Sequence, residues 1–511
     1  MQRGFIGIDL GTSSVKVALV GEDKKIRSVS YKKYNLIIGE NGLAEQDPEE
    51  WYKAVIAGME EVLLNNADLE VRGIGLTGQW SGTVAVDKNG DFLHNAIIWM
   101  DTRGKKIIEE LTSGFPSISG YRIDKLLKWL RKTGGAPAHS GKDSIAHILF
   151  IKHFMPDIYE KAFKFLEPKD YIAARLTGEF KASWDNVVLL WVTDNRNPNN
   201  IFYDKELIKI AGIDIKKLPD LVKPIDVVGN VKNEIARDLG LKNNVSVISG
   251  CGDMHCSLIG AGCVNDYETL LYLGTSLWIT AHVPFKKTDI FHNIATIPSG
   301  IPGKYLIAAE QENACNCMEF ITGILGIDDY EKYKKIDEYS EHSITGANGL
   351  IFLPWIFGER TPIEDPYVRG GFFNLSLNQK REDIIRSVME GVAMNAKWLL
   401  NTVEKFLRRK TNYLIMAGGG ALSDIWVKIF ANVLGKEIKV VDRPRDTVAK
   451  GAALLAAVGL GIFNFQDLSG VGEPYKSFKY DQEENKKYEH IFKEFLNYYK
   501  NNRKSMRSLN S

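Results

Sequence analysis

The sequence predicts an α/β fold made of two equivalent halves, and three observations carry that prediction. The turn LGTS occurs twice, at residues 10–13 and 273–276, each time directly after a short apolar strand. Elsewhere strand-like alternation and helical spacing succeed one another, the pattern of strand-helix units. In YLIMAGGGALSDIW, from Tyr413, a strand runs into three glycines and then into a helix beginning near Ser423.

In chain order, Phe5, Ile6 and Ile8, then Val15, Val17, Leu19 and Val20, form two strands joined by the turn DLGTSS. In PEEWYKAVIAGMEEVLL, Trp51, Val55, Met59 and Val62 share one helical face, and Pro48 after Asp47 marks the start. VRGIGLTG and TVAVD are strand-like. The second LGTS repeats the hairpin, with a strand from Leu270 to Leu273 and an outgoing strand from Leu277 to Ala281. Tyr488, Phe492, Phe495 and Tyr499 mark a final helix that packs back on the body, and NNRKSMRSLNS after it is expected to be a solvated tail. No low-complexity linker divides the chain. The boundary falls in IGAGCVND, giving halves 1–262 and 263–511 that face each other across a cleft.

Bulk composition excludes several classes. A net charge of +1 over 511 residues argues against a strongly basic nucleic-acid-binding face. The longest apolar run, AALLAAVGLGIF, falls short of the roughly 20 residues a membrane span needs. Five cysteines without a second CxxC or paired histidines suggest neither a zinc site nor a secretory disulfide framework, so a cytoplasmic location is expected.

Four constellations could carry chemistry. Asp9 with Gly11, Thr12 and Ser13 offers backbone N–H groups and hydroxyls to phosphate, and a carboxylate that can hold Mg²⁺ through water. An ordinary hairpin turn is the plainer reading. Gly274, Thr275 and Ser276 repeat the donors without the aspartate. Gly418, Gly419 and Gly420 suit close approach of an anion to a helix start, or simply a tight turn. Asp253, in GCGDMHC, follows a strand and opens an apolar helix, as a helix cap or as a base reaching into the cleft. GIGLTG matches GxGxxG, but Ile74 and Leu76 alternate as in a strand, so a dinucleotide site is rejected.

With these residues in place, the chain resembles the FGGY carbohydrate kinases, closest to their xylulokinase-like branch. The ordered set IGIDLGTSSVKV, AEQDPEEWY, GLTGQWSG, AIIWMDTRG, EPKDYIAARLTGEF, GCGD, LGTS, FGERTP, RGGFFNLS, MEGVAMN and AGGGALSDIW carries the resemblance over nearly the whole chain. It implies two ribonuclease-H-like lobes of the actin, hexokinase and Hsp70 ATPase superfamily around a central cleft. The first half would hold sugar and the second nucleotide. By the same resemblance Asp253 is the catalytic base, and Asp9 lies near Mg²⁺ and the γ-phosphate of ATP. Gly11, Thr12, Ser13, Gly274, Thr275 and Ser276 contact phosphate, and Gly418, Gly419 and Gly420 form the nucleotide loop. Gln79, Trp80 and Ser81, with Trp99, Asp101 and Arg103, line the sugar site.

The implied activity is ATP-dependent phosphorylation of a terminal hydroxyl of a small ketose, D-xylulose being favoured. Another ketopentose or a polyol is the alternative acceptor, and a non-catalytic sugar- or nucleotide-binding regulator the alternative class. The implied partners are a small-molecule sugar and ATP, without nucleic acid or membrane, and a homodimer is compatible with the family. Five positions depart from the pattern, Trp80 and Ser81 among them. GQWSG replaces the common GQMHG, Met254 stands where Asn is common, Asn374 replaces a usual glycine, and Lys428 replaces a frequent glutamine.

Overall fold

A computed structural model describes residues 2–64, 66, 69–242, 244–327, 331–472 and 474–510. In the first half, six strands form one sheet: β1 (Gln2–Leu10), β2 (Ser14–Gly21), β3 (Ile26–Lys33), β4 (Leu69–Gly78), β5 (Val227–Asn230) and β6 (Ser246–Ile248). Their order is β3-β2-β1-β4-β6-β5. In the second half β7 (Leu270–Leu273), β8 (Leu277–Thr280), β9 (Glu310–Gln311), β10 (Tyr413–Ala417), β11 (Glu437–Val441) and β12 (Pro474–Phe478) lie in the order β9-β8-β7-β10-β11-β12.

The pairing sense is the same in both sheets. An antiparallel hairpin carries the LGTS turn, two parallel partners follow its first strand, and an antiparallel strand closes the far edge. The repeated turn sequence therefore marks a repeated sheet. GIGLTG lies inside β4, as its alternation requires.

Six helices position the site: α1 (Pro48–Leu64), α2 (Asp253–Gly260), α3 (Arg381–Leu407), α4 (Asp424–Leu434), α5 (Thr447–Gly459) and α6 (Gln482–Asn510). Alternation along β1 divides its side chains between two cores. Ile6, Ile8 and Leu10 pack with Trp51, Val55, Met59 and Val62 of α1. Phe5 points the other way, into a layer shared with α2 and α5. In the second sheet Leu271 and Leu273 face the core containing α3, α4 and α6, whereas Leu270 and Tyr272 face the shared layer. The two sheets thus enclose one common helical layer.

That layer is closely packed. A Cβ on Gly7 or Gly75 would overlap the carbonyl oxygens of Ala449 or Ala452 on α5, and one on Gly451 would overlap the Cys256 carbonyl on α2. The apolar run AALLAAVGLGIF is explained by this position. Most of α5 is buried, so it has no polar face to present to water. No helix among the described residues is long and apolar enough to cross a membrane.

One expectation is corrected. Residues 501–510 are mostly exposed as expected but are helical and not an irregular tail: α6 continues to Asn510, whose side chain donates to the Tyr367 carbonyl at 3.3 Å, with Arg507 over the Tyr367 ring, and Ser511 lies outside the described residues. Its charged, helix-favouring composition suits an exposed helix as well as a tail.

Gly451→Val is expected to destabilise the chain by about 1–3 kcal/mol through overpacking of the shared layer, read from the urea midpoint. Gly323 of the helix Cys315–Ile324 has open space around its Cβ position, so Gly323→Ala should be neutral or slightly stabilising in the same assay.

Candidate active site

Asp253 is the first residue of α2, reached from β6 through the sharp turn Ser249–Gly250–Cys251–Gly252. Gly250 has φ +75°, and a Cβ there would overlap the Leu76 carbonyl, so this turn requires glycine. A buried polar bed holds it. Asp185 accepts from the Gly252 N–H at 3.0 Å, and Lys169, ion-paired with Asp170 at 2.5 Å, donates to the Ser249 carbonyl at 3.0 Å. The Asp253 carboxylate accepts from the Met254 N–H at 2.7 Å. Burial, followed by the Asp9 and Glu310 carboxylates, pushes its pKa up to about 7, against the opposing pull of the Met254 N–H and Lys16.

The first hairpin supplies Asp9, which pairs with Lys16 directly across the β1–β2 ladder, Nζ to Oδ2 3.1 Å. Burial alone would lower the pKa of Lys16, but Asp9 and its neighbours reverse that and keep the ammonium charged. Gly11 N–H bonds the Ser14 carbonyl at 3.1 Å, and Tyr34 donates to the Gly11 carbonyl. Thr12 and Ser13 stand at the open tip of the turn.

In the second hairpin Gly274 N–H bonds the Ser276 carbonyl at 3.0 Å, Thr275 is exposed, and the Ser276 hydroxyl donates to Glu310 at 3.3 Å. Tyr272, stacked on Trp278 at 4.1 Å, feels Lys16, Asp9 and Asp253 together, and its pKa is raised to about 12, chiefly by burial. The two hairpins and the start of α2 therefore converge on one gap. Gly418, at φ +97°, packs against the Leu273 backbone, and Gly419 is exposed with nothing beside its Cβ position. The three-glycine turn adjoins the second hairpin and leaves a bare stretch of backbone facing outward.

The predicted sugar-contacting residues divide into two groups. Trp80 lies across Gly252, where any Cβ would overlap its indole, and meets the His255 ring edge-on at 5.2 Å. Gln79 donates to Gln46 at 2.9 Å, and Gln46 donates to the Thr12 carbonyl at 2.6 Å. Gln79 Oε1 and Trp80 Nε1 are buried without a hydrogen-bond partner among the described residues. Such atoms are costly unless a ligand or water completes them. Trp99 donates to the Thr12 hydroxyl at 2.9 Å, linking this wall to the first turn.

Asp101 and Arg103 are instead committed to the protein. Asp101 accepts from Ala44 N–H and from Arg103, and Arg103 also pairs with Glu45 at 2.6 Å. The Ser81 hydroxyl likewise donates to the Lys142 carbonyl at 2.5 Å, with Ser81 at φ +59°. Asp101, Arg103 and Ser81 brace the wall from behind.

Sequence reasoning passed over several residues here. Lys16 was recoverable from the hairpin register that sets it opposite Asp9. Arg360 lies within FGERTP and binds Glu310 at 2.6 Å and Glu312 at 2.8 Å. Glu310, on the edge strand β9, carries no local signal. Among the described residues no cluster of three or more His, Cys, Asp or Glu side chains could hold a metal alone. Asp9 nevertheless offers a hard carboxylate oxygen beside the two glycine hairpins. That suits Mg²⁺, which takes few carboxylates and completes its shell with water and phosphate.

Comparison with known proteins agrees with this arrangement. Residues 5–260 match the N-terminal domain of the FGGY family of carbohydrate kinases, and residues 272–460 match its C-terminal domain. A xylulose kinase of Staphylococcus epidermidis is 31% identical over 475 residues, covering 90% of this chain and 88% of that protein. A gluconokinase of Bacillus subtilis is 28% identical, covering 93% and 92%. The crystal structure of ligand-bound xylulose kinase from Lactobacillus acidophilus superposes with a TM-score of 0.86 at 23% identity, covering 99% of this chain and 100% of that one. Gluconate kinase from the same organism gives 0.85 at 24%, covering 98% of each. These neighbours share the two-lobed actin and hexokinase ATPase fold. The chain belongs to the FGGY family of carbohydrate kinases and is an ATP-dependent sugar kinase.

Proposed function

We propose that the chain transfers the γ-phosphoryl group of ATP to a terminal hydroxyl of a small ketose, with D-xylulose as the favoured acceptor. The observation that supports this most strongly is the Asp253 carboxylate, lying in the gap between the two hairpins with a pKa of about 7. A general base is most effective when its pKa lies near the working pH. The xylulose kinases among the relatives support the acceptor. The B. subtilis gluconokinase, together with Trp80 and Ser81 in GQWSG, makes an aldonate the second acceptor to test.

In this reading residues 1–262 hold the sugar against Gln79, Trp80 and Trp99, and residues 263–511 hold the nucleotide. The terminal hydroxyl approaches Asp253 to within about 2.6–3.2 Å, its proton passes to the carboxylate, and its oxygen attacks the γ-phosphorus as ADP leaves. Thr12, Ser13 and Thr275 donate hydroxyls toward the phosphates, Ser276 does so on release from Glu310, and Gly11 and Gly274, whose own N–H groups close the turns, leave the main chain open to their approach. Gly418, Gly419 and Gly420 admit the nucleotide close to the main chain. Asp9 would hold Mg²⁺ through water, and the bound ion would offset phosphate charge. Phosphoryl transfer asks mainly for this positioning, and closure of the two halves keeps water from competing for the phosphate.

A coupled ADP-release assay with a panel of sugars tests the reading, and ADP should form only when an acceptor is present. Asp253→Asn should lower kcat by about 10²–10⁴-fold while ATP still binds in calorimetry. Near-normal turnover in that variant would remove Asp253 as the base.

For the wild type, kcat/KM for the acceptor should rise with pH through about 7, because only the ionised carboxylate accepts a proton. A profile flat from pH 5.5 to 8.5 would contradict this.

Stability should show the opposite trend. A carboxyl whose folded pKa lies above its unfolded value of about 3.9 contributes stability below that value and loses it as pH rises through the folded pKa. Asp253→Asn, which mimics the protonated acid, should therefore melt above the wild type at pH 8, and the gap should narrow toward pH 5.

A further inference from the structure

Lys142 lies just before the helix Ser144–Phe154, in none of the motifs that define the family resemblance. Its ammonium stands between two aromatic faces, 5.8 Å from the ring centre of Trp99 in the first half and 5.1 Å from that of Phe357 in the second. Its main chain is fastened to the sugar-facing segment, because the Ser81 hydroxyl donates to its carbonyl.

The nearest carboxylate does not satisfy this ammonium. Glu312 Oε1 is 4.0 Å from Nζ, beyond hydrogen-bond distance. The same oxygen already accepts from Arg360 Nε at 3.0 Å and Nη2 at 2.8 Å. Glu310, the next acid, takes the remaining arm of Arg360 at 2.6 Å. Asp143 accepts through Oδ2 from the Ala138 N–H and the Trp191 indole at 2.7 Å each and makes no hydrogen bond to Lys142. Lys142 is left with three N–H donors and no hydrogen bond to any described residue. Burial pulls its pKa down and Arg360 adds to that, only partly opposed by Glu312, Glu310 and Asp143.

The wall of the cleft runs continuously from the base to this cation. Trp80 covers Gly252 beside Asp253, Trp99, whose ring lies under the ammonium, donates to the Thr12 hydroxyl of the first turn, and the Glu310 carboxylate acts on both Asp253 and Lys142. An elongated acceptor with its reacting hydroxyl at Asp253 would extend along Trp80 toward Lys142.

We propose that Lys142 sets acceptor specificity by donating to a carbonyl or carboxylate oxygen at the end of the substrate remote from the transferred hydroxyl. This rests on the kinase reading above. A carbonyl would come from a ketose and a carboxylate from an aldonate, and both present the oxygen acceptor that this ammonium lacks. A role limited to linking the two halves, through Trp99 and Phe357, would make no distinction between acceptors.

The test is Lys142→Met, which keeps an unbranched chain between the rings, assayed for ADP release with D-xylulose and D-gluconate. Lys142→Gln serves the same comparison if the Met variant does not fold. The expected result is a loss of kcat/KM of about 10–100-fold for the preferred acceptor, the size of a hydrogen bond to a charged group. That loss should lie in the acceptor KM, with the KM for ATP held within about threefold. A larger loss for xylulose identifies the carbonyl as the partner, and a larger loss for gluconate identifies the carboxylate. Equal losses for both acceptors expressed in kcat, or a change below threefold for both, overturn the assignment of Lys142 while leaving the kinase reading intact. A wild type that releases no acceptor-dependent ADP with any sugar tried overturns both.

Discussion

The contact on which the arrangement depends is one of backbone on backbone. Helix α5 lies so close to β1, β4 and α2 that Gly7, Gly75, Gly260 and Gly451 have no room for a Cβ. A helix usually packs some 8–10 Å from its neighbour, with side chains between them. Here small residues bring main chains together, so α5 from the second half becomes part of the wall of the first. The consequence reaches the active site directly. Helix α2 is held against α5, and its first residue, Asp253, is thereby held where the LGTS hairpins of both sheets converge.

Convergence concentrates negative charge. Asp9, Asp253 and Glu310 crowd one gap, and the protein compensates two of them, Asp9 with Lys16 and Glu310 with Arg360. Among the described residues Asp253 receives one backbone N–H and forms no ion pair of its own. The unequal treatment has a physical logic. A carboxylate locked to a cation is a poor proton acceptor, whereas one left half-buried beside other acids holds a proton near neutrality. A triphosphate entering the gap adds still more negative charge. The N–H groups of two turns, Lys16 and a divalent cation are the kinds of group that could accept it.

Much of the fold was legible because it is written locally. Alternation in Phe5–Ile6–Ile8 and helical spacing in Trp51–Val55–Met59–Val62 both reflect which side faces a core, and each core formed where the pattern required. The repeated LGTS was legible as a duplication because the same hairpin chemistry is needed twice. Position within the site was less legible. Asp101 and Arg103 share a motif with Trp99, yet only Trp99 reaches the first turn, since the other two satisfy each other and Ala44 and Glu45. Glu310 and Lys142 come from a two-residue edge strand and a loop, where no periodicity points to a partner. Their surroundings are set by the approach of the two halves, which is a tertiary fact. The last turns of α6 were misread for a related reason. Charge and polarity suggest solvent, but a helix running along a surface is also mostly exposed.

Acceptor choice is the least local property of all, and the pairing of Trp80 with Gly252 shows why. The indole lies across the glycine that immediately precedes the base, and any side chain at 252 would displace it. Trp80 and the loop that aims the Asp253 carboxylate are therefore one packed unit. A change from methionine to tryptophan at such a position alters the pocket and also presses on the turn that orients Asp253. Its effect must be absorbed by Gly252 and His255, and by the Asp185 bond that holds the Gly252 N–H. On the proposed reading, with the sugar against Trp80, acceptor choice would depend on how that unit packs and so on the residues that hold it, Ser81 and Asp185 among them.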